Sequence, residues 1–217
     1  MDVVVFGATG LTGLDVCRLA LAAGHTVRAV SRHGNALPLA AADALRVVHA
    51  DAVTGDGVQD AIAGADAVLS LLGASYTRHR ITVYSAGTGA IISALRGVGR
   101  GKRLVVVSSG LTYPPPAGHG FIPDRIVFPF LRSVVGKTLY ADMRRMEELV
   151  RSSDDIAWTI MRPGRLFNAK SVSRYRLDLN GPTQGYTSRI DLAAAMVAEL
   201  ATAEHMHQAI APTTTRR

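Results

Sequence analysis

Residues 2–6, DVVVF, carry four apolar side chains in a row. Short, nearly unbroken runs of the same kind recur at 26–31 (TVRAVS), 45–49 (LRVVH), 66–72 (DAVLSLL), 103–108 (RLVVVS) and 156–162 (IAWTIMR). A strand with one wet face alternates apolar and polar residues. A strand that is apolar at successive positions is buried on both faces, as in a parallel sheet covered on each side. Between these runs lie stretches with helical spacing, at 11–23, 57–63, 82–97, 137–152 and 190–203. The first places Leu14, Cys17 and Leu21 on one stripe, and the last has Ser188 ahead of Asp191 as an N-terminal signal. Read as a strict β-α alternation, the pattern predicts right-handed crossovers. It predicts an α/β fold: a Rossmann-type, doubly wound parallel sheet with helices on both faces.

Two segments break the rhythm. Residues 110–136 contain TYPPPAGHGFIPDR and read as mostly loop; residues 164–187 are also irregular. Each follows a strand at the carboxyl edge of the sheet, where such folds bind ligands. Insertions at 111–135 and 164–187 are therefore expected to wall a substrate pocket in a single domain spanning 1–217. A chain of 217 residues, 48% hydrophobic, can bury a sufficient core without cross-links. Its one cysteine, Cys17, excludes an intrachain disulfide and fits a core position in the first helix. A reducing, cytoplasmic setting is expected. The start MDVVV has no basic and apolar leader pattern, and no apolar run is long enough for a membrane span. The net charge of +7 suits either nucleic acid or a small anionic ligand. The densest basic cluster, Arg96, Arg100, Lys102 and Arg103, is interrupted by glycines and has no aromatic neighbours for base stacking, which argues against nucleic acid. A monomer or homodimer acting on a small molecule is expected.

The sharpest motif is GATGLTG at 7–13, placed between a strand and a helix. In that context the spacing G-x-x-G-x-x-G reads as a dinucleotide fingerprint. Gly7 makes the turn, Gly10 lets the backbone approach a pyrophosphate, and Gly13 allows close helix–strand packing. The helix start at 11–13 offers N–H groups and the positive end of the dipole. An NAD site usually carries an acidic residue about 20 positions further on, for the ribose 2′-hydroxyl. None occurs between Asp15 and Asp43; Ser31 and Arg32 stand there, with Arg28 and His33 nearby. A guanidinium pairs with a 2′-phosphate, so the expected cofactor is NADP (NADPH).

GATGLTG, VSR after the second strand and HADAVTGD after the third are followed by DAVLSLLG, RLVVVSSG, MEELVRSS, WTIMRPGRL and SRIDLA. With these motifs the chain resembles the atypical short-chain dehydrogenases/reductases over roughly 2–203. The nearest resemblance is to the NAD(P)H-binding subgroup of NmrA-like and flavin reductase/biliverdin-IXβ reductase-like proteins. The resemblance implies that Gly7, Thr9, Gly10, Leu11, Thr12 and Gly13 hold the pyrophosphate and Arg32 the 2′-phosphate. It implies that Asp51 and Ala52 flank the adenine and that Leu72 and Gly73 contact the adenosine ribose side. Ser108 and Ser109 would lie by the nicotinamide, with Pro163 and Gly164 near its carboxamide. Asp51 as a turn residue and Pro163 as a strand terminator are the plainer readings.

Many relatives use a serine, a tyrosine and a lysine four residues after the tyrosine. Here the matching segment is Tyr140-Ala-Asp-Met-Arg144, with arginine in place of lysine. That keeps the charge but not a flexible ammonium. Ser109 and Tyr140 are the candidate catalytic residues. Tyr140 packed against the sheet or the 110–136 loop is the alternative. His205 and His207 read as part of a solvated end without a third metal ligand, so no metal is expected. Glu147 and Glu148 are neighbours on a helix and point about 100° apart, so they are no carboxylate pair. Three functions fit: an NADPH-dependent oxidoreductase of a quinone, flavin or similar conjugated acceptor; an NmrA-like redox sensor that binds NADP(H) without turnover; and a nucleotide-sugar epimerase. The short C-terminal region argues against the last.

Overall fold

In the computed structural model the described residues are 1–34, 37–39, 43–99, 102–114, 121–130, 133–134, 136–179 and 185–215. All six apolar runs form strands: β1 (Asp2–Phe6), β2 (Thr26–Ser31), β3 (Leu45–His49), β4 (Ala67–Ser70), β5 (Arg103–Val107) and β6 (Ala157–Met161). The helices are α1 (Leu11–Ala22), α2 (Val58–Ile62), α3 (Val83–Gly97), a π-helical turn (Pro123–Val127) leading into a short α4 (Phe128–Phe130), α5 (Lys137–Arg151) and α6 (Arg189–Ala198), so residues 121–130, expected as loop, are helical. Strict alternation fails at one crossover, because no described residue between β2 and β3 is helical.

The sheet runs β3-β2-β1-β4-β5-β6, all parallel, which is the doubly wound order. It then gains two strands where the sequence reads as loop and tail. β10 (Gln208–Thr214) lies parallel to β6, and β8 (Tyr175–Leu179) closes the edge antiparallel to β10. β7 (Arg165–Phe167) and β9 (Tyr186–Ser188) pair separately as a small parallel ribbon. So 164–187 is an excursion with three strands, and the residues after 207 form an inner strand. The histidines just before β10 are also engaged. His205 Nδ1 lies 2.7 Å from Glu199 Oε1, and His207 stacks on Trp158 with ring centroids 5.3 Å apart.

Burial explains why the runs are continuous. In β1, Val4 and Phe6 enter a core under α2, α3 and α5, with Ile62, Ile91, Leu95, Leu104, Met146 and Ile160. Val3 and Val5 enter a second core under α1 and α6, with Val16, Cys17, Val105, Met161, Leu192 and Met196. Each fully buried side chain of this size contributes about 1.5–3 kcal/mol. The outer strand β3 is the exception: Val47 is 38% exposed although its run is apolar. Cys17 is buried as expected, and burial pushes its thiol up to about 12. No helix among the described residues is long and apolar enough to cross a membrane, and no cluster of metal-binding side chains occurs among them.

Arg100 lies outside the described residues. Arg96 is held in an ion pair with Asp155, and Arg103 is buried against Glu199.

Candidate active site

The turns that follow β1, β2, β3, β4, β5 and β6 meet at one edge of the sheet. Gly7 takes φ +78°, and a Cβ there would lie 2.4 Å from the Leu71 carbonyl oxygen of the neighbouring β4 turn. A Cβ on Gly13 would lie 2.1 Å from the Gly7 carbonyl oxygen. These two glycines are required by the fold itself. Gly10 is different: its nearest neighbour would be 3.4 Å away, an ordinary contact. Thr9, Gly10 and Leu11 are exposed, and α1 starts on Gly10 with no side chain capping it. An uncapped helix start beside a bare glycine fits a pyrophosphate, which the first-turn N–H groups would hold.

At the end of β2, Ser31 is buried and its Oγ accepts from the His33 N–H at 3.3 Å. Arg32 is exposed and engages in no hydrogen bond or ion pair among the described residues. Arg28, by contrast, is committed to Asp2 and to the carbonyls of Ala61 and Ala63, so it belongs to the scaffold. Asp51 acts in its own turn, accepting from the Val53 N–H at 2.8 Å. Ala52 and Leu72 converge over α3 at Gly87. A Cβ there would lie 2.5 Å from Leu72 Cδ1 and 3.3 Å from the Ala52 Cβ. Gly87 thus sets the depth of the wall that Ala52 and Leu72 form, a role the GTG inside α3 could have suggested. Gly73 is exposed.

The two serines after β5 part ways. Ser108 is buried and donates to Glu147 Oε1 at 2.6 Å, while sharing a 2.9 Å hydrogen bond with Thr112. Its hydroxyl faces the interior and is engaged by these two partners. Glu147 in turn pairs with Arg162, whose guanidinium lies 4.6 Å from the centre of the Tyr113 ring. This buried ion pair was not anticipated; the only sequence signal was an arginine in MRPG ending an apolar strand.

Ser109 is half-buried and accepts from the Leu111 N–H at 3.2 Å. Tyr140 does pack into the core, at 3% exposure, but its hydroxyl also lies 3.1 Å from that of Tyr76. Burial and the Tyr76 hydrogen bond raise the Tyr140 phenol well above its ordinary range, with Ser109 pulling weakly the other way. Arg144 does not act as the missing lysine. Its guanidinium donates to the Thr112 carbonyl at 3.2 Å and braces the 108–113 turn. Nearby, the Pro163 carbonyl accepts from the Gly110 N–H at 2.8 Å, joining the two turns. Gly164 is dictated by packing, since a Cβ would sit 2.4 Å from the Gly185 backbone. The structure therefore brings Ser109, Tyr140 and the glycine turn to one edge. It assigns Gly164 and Ser108 structural duties.

Comparison with known proteins agrees with this geometry. A family model described as NAD(P)H-binding matches residues 7–203. The uncharacterized protein YwnB of Bacillus subtilis (strain 168) is 25% identical over 215 residues, 96% of each chain. A solved structure from Streptococcus pneumoniae, named as a candidate NADH-flavin reductase, superposes with a TM-score of 0.78 at 22% identity, covering 99% of this chain and 100% of that one. A wide-type short-chain dehydrogenase/reductase from Veillonella parvula in complex with NADP superposes at 0.75 with 16% identity, covering 98% and 94%. The fold is shared along the whole length, and the matched model begins at the first glycine of the turn. The chain has a Rossmann-type fold and belongs to the NAD(P)H-binding family.

Proposed function

We propose that the protein is an NADPH-dependent reductase of a small conjugated acceptor such as a quinone or flavin. The observation that carries this reading is the buried Tyr140 phenol, hydrogen-bonded to Tyr76, with Ser109 in the turn after β5, at the same sheet edge as the Gly7–Gly13 turn. When bound, the dinucleotide supplies a hydride. Gly10 and the start of α1 hold its pyrophosphate, and Arg32 holds a 2′-phosphate. Ser109 orients the acceptor oxygen, and Tyr140, kept protonated by burial, gives that oxygen its proton. Apolar side chains exposed beyond β5, among them Phe121, Ile126 and Phe130, suit a flat apolar acceptor.

The test is a fluorescence titration with NADPH and NADH, followed by an oxidation screen over quinones, flavins and aldehydes. Arg32→Ala is expected to weaken NADPH about tenfold or more and leave NADH unchanged. Equal wild-type affinities for the two would remove Arg32 from the cofactor site. A second reading has its own observation: Arg144 is tied to Thr112, and no lysine among the described residues hydrogen-bonds Tyr140. That favours a sensor that binds NADP(H) without turning it over. Tight NADPH binding with no turnover of any acceptor in the screen would select it.

A further inference from the structure

Three tyrosines meet at the site, and they differ in what their hydroxyls face. Tyr84 is buried and its oxygen accepts from the Ala74 N–H at 3.2 Å. Tyr140 is buried at 3% exposure, whereas Tyr76 is 59% exposed. The Tyr76 and Tyr140 hydroxyls share a 3.1 Å hydrogen bond in which either can donate, and their rings meet edge-on at 6.4 Å and 66°. The pairing is held from both sides. Tyr76 lies on the 71–82 turn, between β4 and α3. Thr138, in the first turn of α5, donates to the Thr77 carbonyl at 2.7 Å. One residue beyond Tyr76 is thus tied to the helix turn that carries Tyr140.

A buried phenol that gives up a proton must get one back before the next cycle. The lysine of many relatives is replaced by Arg144, whose guanidinium donates to the Thr112 carbonyl and makes no hydrogen bond to Tyr140. We infer that Tyr76 is the relay residue that returns a proton from water to Tyr140, completing a hydroxyl chain Tyr140–Tyr76–solvent. This deepens the reductase reading and rests on it. The balance is simple. The acceptor takes a hydride from the reduced nicotinamide, which is oxidised, and its oxygen takes the Tyr140 proton. The Tyr140 oxygen takes the Tyr76 proton, and the Tyr76 oxygen takes one from water. One hydride and one solvent proton are consumed per turnover.

Tyr76→Phe removes one oxygen from an exposed side chain and leaves the core intact. Two readouts test it. In the cofactor-free protein, exchange of the Tyr140 hydroxyl proton with water, followed by proton NMR, is expected to slow about tenfold or more in Tyr76→Phe. With NADPH and a small naphthoquinone, kcat is expected to fall about tenfold to a hundredfold with KM unchanged, and the solvent deuterium isotope effect on kcat to rise. Tyr76→His, which can carry a proton, is expected to recover part of both. Unchanged exchange in Tyr76→Phe overturns the relay, whether or not the wild-type protein turns over. Full activity in Tyr140→Phe instead overturns the donor role of Tyr140 in the reductase reading. Loss of activity in Tyr140→Phe with no effect of Tyr76→Phe on kcat or exchange overturns the relay alone.

Discussion

At the residue scale the three turn glycines look alike in sequence and differ in kind. Gly13 has a backbone oxygen where its Cβ would be, at 2.1 Å, and that atom cannot yield without moving the strand-to-helix turn. Gly13→Ala is expected to cost about 3 kcal/mol of stability, read as a shift in the urea midpoint. Gly10 has room for a methyl group on the protein side. Gly10→Ala should leave the urea midpoint within about 0.5 kcal/mol of wild type and still weaken NADPH about tenfold, because the methyl group occupies the approach to the helix start. The opposite pattern would mean that Gly10 serves the fold and not the ligand. The motif spacing alone marks all three positions; only the close approaches separate their duties. Tyr76 and Glu147 show the same limit. Nothing local marks them, because their partners Tyr140 and Arg162 lie 64 and 15 residues away.

At the element scale, helix ends carry information that the sequence half reveals. Ser188 accepts from the Asp191 N–H at 3.1 Å, the cap that S-x-x-D suggests. What it does not suggest is the rest of the Asp191 environment. The carboxylate also takes hydrogen bonds from the Ser173 N–H, the Ser173 hydroxyl and the Thr214 hydroxyl. One buried side chain thus ties the excursion, β10 and α6 together. Burial by itself would raise its pKa, but the hydrogen bonds from Ser173 and Thr214 outweigh that and hold it below the usual carboxylate range. A depressed native pKa means that the unfolded state binds more protons as pH falls. The stabilisation is therefore complete above the unfolded-state value near 4 and is lost as pH drops through the native value. Urea midpoints from pH 7 downward should show Asp191→Asn less stable at pH 7, with a shallower loss towards acid than wild type. Parallel acid limbs would mean that Asp191 does not titrate with unfolding. A comparable device starts α3, where Asp142 of α5 accepts from the Tyr84 and Ser85 N–H groups while buried. That cap comes from another helix, so no local pattern could reveal it.

At the scale of the molecule, the parallel half of the sheet was legible because its strands, the outer β3 excepted, declare themselves by burial on both faces. The remaining strands were not, for physical reasons. β7 and β9 are three residues each and pair only with one another. β10 reads QAIAPTT, and its proline and threonines look like a tail. The proline is tolerated because β10 pairs with β6 only through Gln208–Ile210; Pro212 lies past that ladder, opposite Leu177 of the antiparallel β8. The strand is nonetheless central. Ala209, Ile210 and Ala211 are buried, the Ile210 carbonyl accepts from the Arg162 N–H, and the Thr214 hydroxyl oxygen accepts from the Ser188 N–H. Arg162 is also the partner of Glu147 beneath Ser108 and the Tyr113 turn. β10 is thus the support on which the end of β6, and so the 108–113 turn with Ser109, is held. Ile210→Ala removes a fully buried side chain and is expected to cost about 2–5 kcal/mol. At temperatures where the variant stays folded, its NADPH affinity should be near that of wild type, because the glycine turn lies across the sheet on β1. Its turnover should fall, because Arg162 sits between Ile210 and the Ser108 turn. Matched losses of NADPH affinity and turnover would instead mean that β10 supports the whole carboxyl edge, with no preference for the Ser109 side.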